Sequence, residues 1–304
     1  MYKRGIALLI TLLFIIAITI SIGVGLRYVS QASGEVKNSN FMFQTSVIID
    51  DVIKILRESK ELATVIQDGS AESLYIFLSQ SSFMPFESSG LRMTLEISSA
   101  RSKFNPNGLM DSNGSNINLP KVEAMKSYLT NKMVDVGYID ILLDSMSGIK
   151  EDFTYNTEIF NDKPYLFRDY IVSIEHLEEL NSFYEQTYHN NSLSNISFEK
   201  LFYFSNNRDS SIDLNYATSD VWELILGTSE QRAEELTLGS GTYTDLESLP
   251  LSDDEKDALT RFNVSYFEPY LDVKINIVQN NQSSNIRFEY DINNKKGSNF
   301  SYDI

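Results

Sequence analysis

The sequence predicts an α+β fold: a long N-terminal helix packed on an antiparallel sheet, with a large all-helical insertion between the strands. Three observations carry this. Gly5 through Leu26 holds no charged residue and runs on into an amphipathic pattern. Segments that alternate apolar and polar residues stand near 90–100 and again near 270–293. Between them the chain reads as helix starts and helical stripes, with no comparable alternation.

The opening run has the length of about 20 apolar residues that crosses a bilayer as a helix. Lys3 and Arg4 precede it, so the positive-inside rule keeps the N-terminus cytoplasmic and puts the rest outside. A secretion signal is the competing reading. Its apolar region is about 7–15 residues, shorter than this one, although Ser30-Gln31-Ala32 would pass as a cleavage site. Further on, Ile48, Val52, Ile55 and Leu56 recur on one helical face, opposite Asp50, Asp51, Lys54, Arg57 and Glu58. One helix is expected from about Ile6 to about Gln67, with Gly34 as a possible bend.

The strands follow from a period of two. Leu91, Met93, Leu95 and Ile97 face one way, with Arg92, Thr94 and Glu96 opposite. Leu271, Val273, Ile275 and Ile277 form a second apolar row, and Ile286, Phe288, Tyr290 and Ile292 a third. The link "QNNQSSN" is expected as a hairpin loop. No long Pro/Gly linker separates these parts, which favours an insertion within one sheet over separate domains.

Composition narrows the function. The chain has 304 residues and carries 25 Lys+Arg against 42 Asp+Glu, a formal net charge of -17, so no nucleic-acid partner is expected. There is no cysteine, which removes disulfides, thiolate metal sites and cysteine nucleophiles. The two histidines, His176 and His189, are both expected at the surface. "DSNGSNIN" from Asp111 to Asn118 reads as an Asx-rich turn, because Gly114 and Glu123 are misplaced for a calcium loop. The acidic segment around Leu224–Leu249 is helix–turn–helix in character but too negative to grip phosphates.

Lys3-Arg4-Gly5 followed at once by Ile6 and an apolar helix resembles the N-terminus of type IV pilins and pseudopilins. The resemblance implies cleavage by a prepilin peptidase between Gly5 and Ile6, and a methylated Ile6 as the new N-terminus. Most of that family has Glu at the fifth mature position; here Ile10 stands there. Lack of that Glu is characteristic of the K-type minor pseudopilin of type II secretion, which is thought to cap the filament tip. A carboxylate in an apolar core is costly unless paired, and a subunit with no neighbour above it needs none.

Other stretches are similar to the same family. "INL" at Ile117–Leu119 and "IDLNYAT" at Ile212–Thr218 look like the two turns that bracket its helical insertion, and Asn, Asp and Ser in such stretches suit helix N-termini. "SIEHLEEL" and "TDLESLPLSDDEKDAL" look like its remaining helix starts. In "ILLDSMSGIKEDFTY", Asp144, Glu151, Asp152 and Tyr155 fall on matching positions, whereas Ser145 replaces a Trp and a second Asp is lost. The family carries calcium in this region, so the resemblance implies Ca²⁺ at Asp144, Glu151 and Asp152. A solvated acidic loop is the alternative.

The resemblance implies a leader at 1–5, a pilin helix at 6–67 that spans the membrane over 6–26, a pilin-like body at 68–104 and 263–304, and an inserted helical domain at 105–262. It implies a non-enzymatic subunit, single-pass in the bacterial inner membrane, with its C-terminal part in the periplasm. Implied partners are the I- and J-type minor pseudopilins and the prepilin peptidase. Two other readings stand beside it: a minor pilin of a type IV pilus or DNA-uptake filament, and a membrane-anchored periplasmic binding module.

Overall fold

The computed structural model describes residues 41–88, 91–150, 154–279 and 282–303. Among these residues no helix is long and apolar enough to cross a membrane. The apolar run, Gly34, Gly5, Ile6, Ile10, Glu151 and Asp152 lie outside the described residues.

The first described helix, α1, covers 41–58. It does not continue to Gln67 as expected. Ser59 takes extended backbone and caps a new helix, α2 (Lys60–Asp68), by accepting from the Leu62 N–H at 3.1 Å. A Ser side chain that satisfies a free helix N–H is a better start signal than a helix interior. Gly69, at φ 58°, ends α2, and Ser70 caps α3 (Ala71–Ser81). The stripe that α1 buries also differs from the expected one. Phe41, Thr45, Ile49, Val52 and Leu56 are buried, Ile48 is partly so, and Ile55 is 67% exposed. The charged face of Asp50, Asp51, Lys54, Arg57 and Glu58 is outward, as expected.

The sheet has five strands in the order β1–β2–β5–β6–β7, every pairing antiparallel. These are β1 (Phe83–Ser88), β2 (Leu91–Ser99), β5 (Tyr270–Gln279), β6 (Gln282–Asp291) and β7 (Lys296–Asp303). Ile97 pairs with Val273 and Val273 with Phe288, so an apolar row crosses three strands beneath α1–α3. The hairpin closes between Gln279 and Gln282, so most of "QNNQSSN" is strand rather than loop. β1 and β7 are edge strands that no alternation announced. β1 carries Pro85 and β7 is polar, as edges commonly are.

Between β2 and β5 runs the insertion. Its helices are α4 (Leu119–Asn131), α5 (Tyr138–Met146), α6 (Ile159–Asp162), α7 (Ile174–Tyr188), α8 (Phe198–Leu201), α9 (Ser219–Leu226), α10 (Glu230–Thr237) and α11 (Asp253–Leu259). It is not all-helical. β3 (Ile212–Asp213) pairs in parallel with β4 (Val264–Ser265), tying the insertion's late part back to its exit. A second core of buried residues, from Phe104 to Phe262, fills the insertion around Trp222, Tyr128, Tyr138 and Tyr184.

Candidate functional site

The part of the molecule where sequence builds something other than a core is the junction of sheet and insertion. β2 ends at Ser99, and Arg101 follows in the turn. Its guanidinium makes a bidentate ion pair with Glu289 of β6 and lies over the rings of Tyr270 (4.2 Å) and Tyr203 (5.1 Å). Arginine is the residue for this place, because its planar fork matches a carboxylate and stacks on rings. The Arg101 carbonyl accepts from the Asp213 N–H of β3 at 2.8 Å. One turn therefore clamps β6 and the insertion together.

Asp213 is buried and accepts from the backbone N–H groups of Asn215 and Glu268, each at 3.0 Å. Burial outweighs those two bonds and pushes its carboxyl up to about 7. Buried asparagines do comparable work nearby. Asn105 donates to the Ser205 and Asn207 carbonyls. Asn107 donates to the Ile171 and Ser205 carbonyls and accepts from the Ile171 N–H at 2.7 Å. Asn215 donates to the Tyr243 and Tyr266 carbonyls and accepts from the Tyr243 N–H. Asn107 and Asn215 each satisfy backbone groups of two distant loops and Asn105 those of the 205–207 loop, which buried backbone requires. The sequence showed Asn105 and Asn107 in "FNPNG" only as turn residues. Nothing in their spacing marks them as staples, since their partners lie roughly 60 to 100 residues away in sequence.

The helix starts behave as the sequence suggests. Asn118 caps α4, Thr218 caps α9 and Ser173 caps α7. Asp245 forms a capping box with Ser248, and Ser252 another with Glu255. Asp111 accepts from the Ser115 N–H and the Asn116 amide, an Asx turn as read.

His176 is buried, not at the surface. It stands in the first turn of α7 facing α5, where Ser145 Oγ lies 3.2 Å from Nε2 and the Val172 N–H donates to Nδ1. Nδ1 therefore accepts and Nε2 carries the proton. Burial holds the imidazole below its ordinary range. A small Ser145 side chain leaves room for the ring; that is the signal missed. The pair orients a helix start. Ser145 is fully buried, and Nδ1 meets a backbone N–H rather than a carboxylate. His189 caps the end of α7 at φ 48° and is exposed, as expected.

Of the three residues expected to hold calcium, Asp144 is described. It is fully buried and takes four hydrogen bonds: Oδ1 from the Asn156 N–H (2.9 Å) and side-chain amide (3.0 Å), Oδ2 from the Thr157 N–H (2.7 Å) and hydroxyl (2.8 Å). Both oxygens are filled, so Asp144 as placed does not fit a cation ligand and instead anchors the loop after α5. Tyr155 supports the same loop by accepting from the Lys150 N–H and donating to the Gly148 carbonyl. No cluster of three or more metal-binding side chains occurs among the described residues.

No family model matches the chain, and no curated protein matches it. Its fold is similar to that of the GspK chain in the crystal structure of the GspK-GspI-GspJ complex from the type 2 secretion system of enterotoxigenic Escherichia coli. The match has a TM-score of 0.51 at 11% identity and covers 88% of this chain and 96% of that chain.

Proposed function

We propose that this chain is a K-type minor pseudopilin: a non-enzymatic subunit, held in the bacterial inner membrane by its N-terminal apolar run, that sits at the tip of a type II secretion pseudopilus. The observation that carries the reading is architectural. A helical insertion enters one antiparallel sheet between β2 and β5, and the fold as a whole is similar to that of the GspK chain, 96% of which the match covers. The Lys3-Arg4-Gly5-Ile6 start and the Ile10 position support it from the other end of the chain. The clamped junction suits the role, since a subunit that crowns a filament transmits load between its helix, sheet and insertion through fixed contacts. Because the similar structure is a complex, the I- and J-type minor pseudopilins are the proposed partners, and a prepilin peptidase the proposed processing enzyme.

The test is the mature N-terminus and what co-purifies. Membrane-extracted protein should begin at Ile6 by mass spectrometry, and Gly5→Leu should retain the leader and fail to assemble. Ile10→Glu should give no gain in secretion, since it buries a charge costing about 2.5–3.5 kcal/mol on insertion scales with no partner at the tip. A mature start at Met1 would favour an anchored periplasmic module. A gain of assembly with Ile10→Glu would make this an ordinary filament subunit.

A further inference from the structure

Four segments of the insertion meet at one side chain. Arg208 lies in the loop before β3, and its side chain is 8% exposed. Its Nη2 donates to the carbonyl of Met146, the last residue of α5, at 3.4 Å. The same nitrogen donates to the carbonyl and to Oδ1 of Asp169, the latter at 3.0 Å. The Asp169 N–H in turn donates to the Ser145 carbonyl at 3.2 Å, so the 169 segment is tied to the end of α5 twice. Asp169 holds φ at 107°, rare for a residue with a side chain, and does so with both oxygens on one nitrogen. The 111–116 turn closes over the guanidinium. A side chain on Gly114 would begin 2.5 Å from Nη1, so the turn can lie there only with glycine. The glycine of "DSNGSNIN", misplaced for a calcium loop, is placed for this contact.

These contacts have the layout of a cation site. A helix C-terminus carries partial negative charge, and Met146 presents a carbonyl there. Asp169 adds a carbonyl and a carboxylate, so oxygens from two segments converge on one positive group. Calcium takes the same kinds of oxygen, six to eight of them. Here a guanidinium already holds them, and Asp144, earlier in α5, has both oxygens filled by the 156–157 loop. Arg208 Nε is buried without a partner among the described residues. The positive charge at Nη2 is therefore what the site uses, rather than the whole fork of an arginine.

We propose that the Arg208 guanidinium is the insertion's built-in cation: it joins the end of α5, the 169 segment and the 111–116 turn, so that this loop cluster is organised without the metal ion that the family resemblance implies. The loops stay oriented because the cation is covalently part of the chain, and its own loop is held by Asn105 through the Ser205 and Asn207 carbonyls. The proposal stands on this geometry and not on the filament reading; it holds whether or not the chain assembles into a pseudopilus.

The test uses the full chain in a nonionic detergent, with melting followed by the fluorescence of Trp222, which is buried in the insertion's core. Arg208→Met keeps bulk, removes the charge and should melt at least about 5 °C below wild type. Arg208→Lys keeps a cation and should melt closer to wild type. Methylguanidinium chloride, below denaturing concentrations, should raise the melting temperature of Arg208→Ala by binding the emptied place in the folded state. It should leave wild type unchanged, and sodium chloride at equal concentration should not rescue the variant. Wild type should melt at the same temperature in calcium as in chelator. The proposal is overturned if Arg208→Met melts as high as Arg208→Lys, which would make Arg208 a packing residue. It is overturned equally if methylguanidinium shifts Arg208→Ala no more than it shifts wild type. A wild type that melts higher in calcium would give the organising role to a metal ion, and overturns it too. If Arg208→Ala does not fold, refolding with methylguanidinium replaces the melt: recovery of the native Trp222 signal supports the proposal, and no recovery overturns it.

Discussion

The sheet body and the helical insertion are held together by different physics. The body is a regular apolar layer. Leu271, Val273, Ile275 and Ile277 face the helices on one strand, and Ile286, Phe288 and Tyr290 on the next, with polar residues alternating outward. The insertion is a set of mostly short helices, two of them only four residues long, around a large aromatic core. Elements so short do not hold themselves. Their loops are fixed by buried Asn105, Asn107, Asn215, Asp213 and Asp144, each bonded to backbone far away in sequence. Periodicity builds the first region, and long-range side-chain-to-backbone bonds build the second. The junction, through Arg101 and Glu289, joins them; Tyr216 and Phe267 pack from the insertion side onto the body's core.

The largest effect to look for is whether the sheet body and the insertion unfold separately. Leu142→Ala in the insertion and Ile275→Ala in the body each remove a fully or almost fully buried side chain, and each should cost about 2–5 kcal/mol. Because the junction couples them, both variants should shift the fluorescence of Trp222, the chain's single tryptophan, and the far-ultraviolet strand signal together. If Leu142→Ala moves the Trp222 transition alone, the cores are independent folding units.

Asn107→Ala leaves the Ile171 carbonyl and N–H unpaired, while the Ser205 carbonyl keeps the Asn105 amide, with a penalty of about 1–3 kcal/mol for each buried group left without a partner. Asn116→Ala removes one exposed bond to Asp111 and should stay within about 0.5 kcal/mol. Equal effects in denaturant melts would mean that the buried amides contribute no more than surface ones.

A third test is electrostatic. Asp213 titrates near 7 in the folded chain against about 4 unfolded. The folded state then holds a proton that the unfolded state has lost, so this residue's contribution is present at low pH and falls as pH rises from about 4 through 7. The shift sets an upper bound of about 4 kcal/mol. His176 acts oppositely: its lowered value means that stability is lost as pH falls below its unfolded value of about 6.5. The difference between wild type and Asp213→Asn, followed from pH 5 to 8, isolates the carboxyl. A difference that does not change with pH would show that Asp213 stays ionised throughout.

These contrasts explain what was legible. The three apolar rows of β2, β5 and β6 could be read from the chain, because burial on one face forces a period of two. The helix starts could be read because caps are local. β1 and β7 could not: their exposed faces leave no alternation, and Pro85 argues against a strand. The end of α1 was missed because Ser59 reads as a tolerated helix residue until its hydroxyl is seen on the Leu62 N–H. His176 and the Asn staples were missed for a common reason. Their environment is made by segments distant in sequence, and no local spacing records it.

The smallest expected effect concerns calcium and sharpens the contrast between Asp144 and the exposed Asp111. The family resemblance places Asp144 with Glu151 and Asp152 on Ca²⁺, which takes six to eight oxygens. The fold gives Asp144 another occupation. Its two oxygens already hold four donors, two of them backbone N–H groups, and a cation would have to displace at least one pair. A cation that bound the folded state there would raise its melting temperature by mass action. We therefore expect Asp144→Asn to lower the melting temperature by the same amount in calcium as in chelator, because Asn cannot accept from all four donors whichever ion is present. Asp111→Asn should change little in either, its two bonds being exposed to water. If wild type melted higher in calcium and Asp144→Asn erased that difference, the 156–157 loop would have to release its carboxylate to the ion. Asp144 would then be a ligand in the loaded protein and a loop anchor only without it.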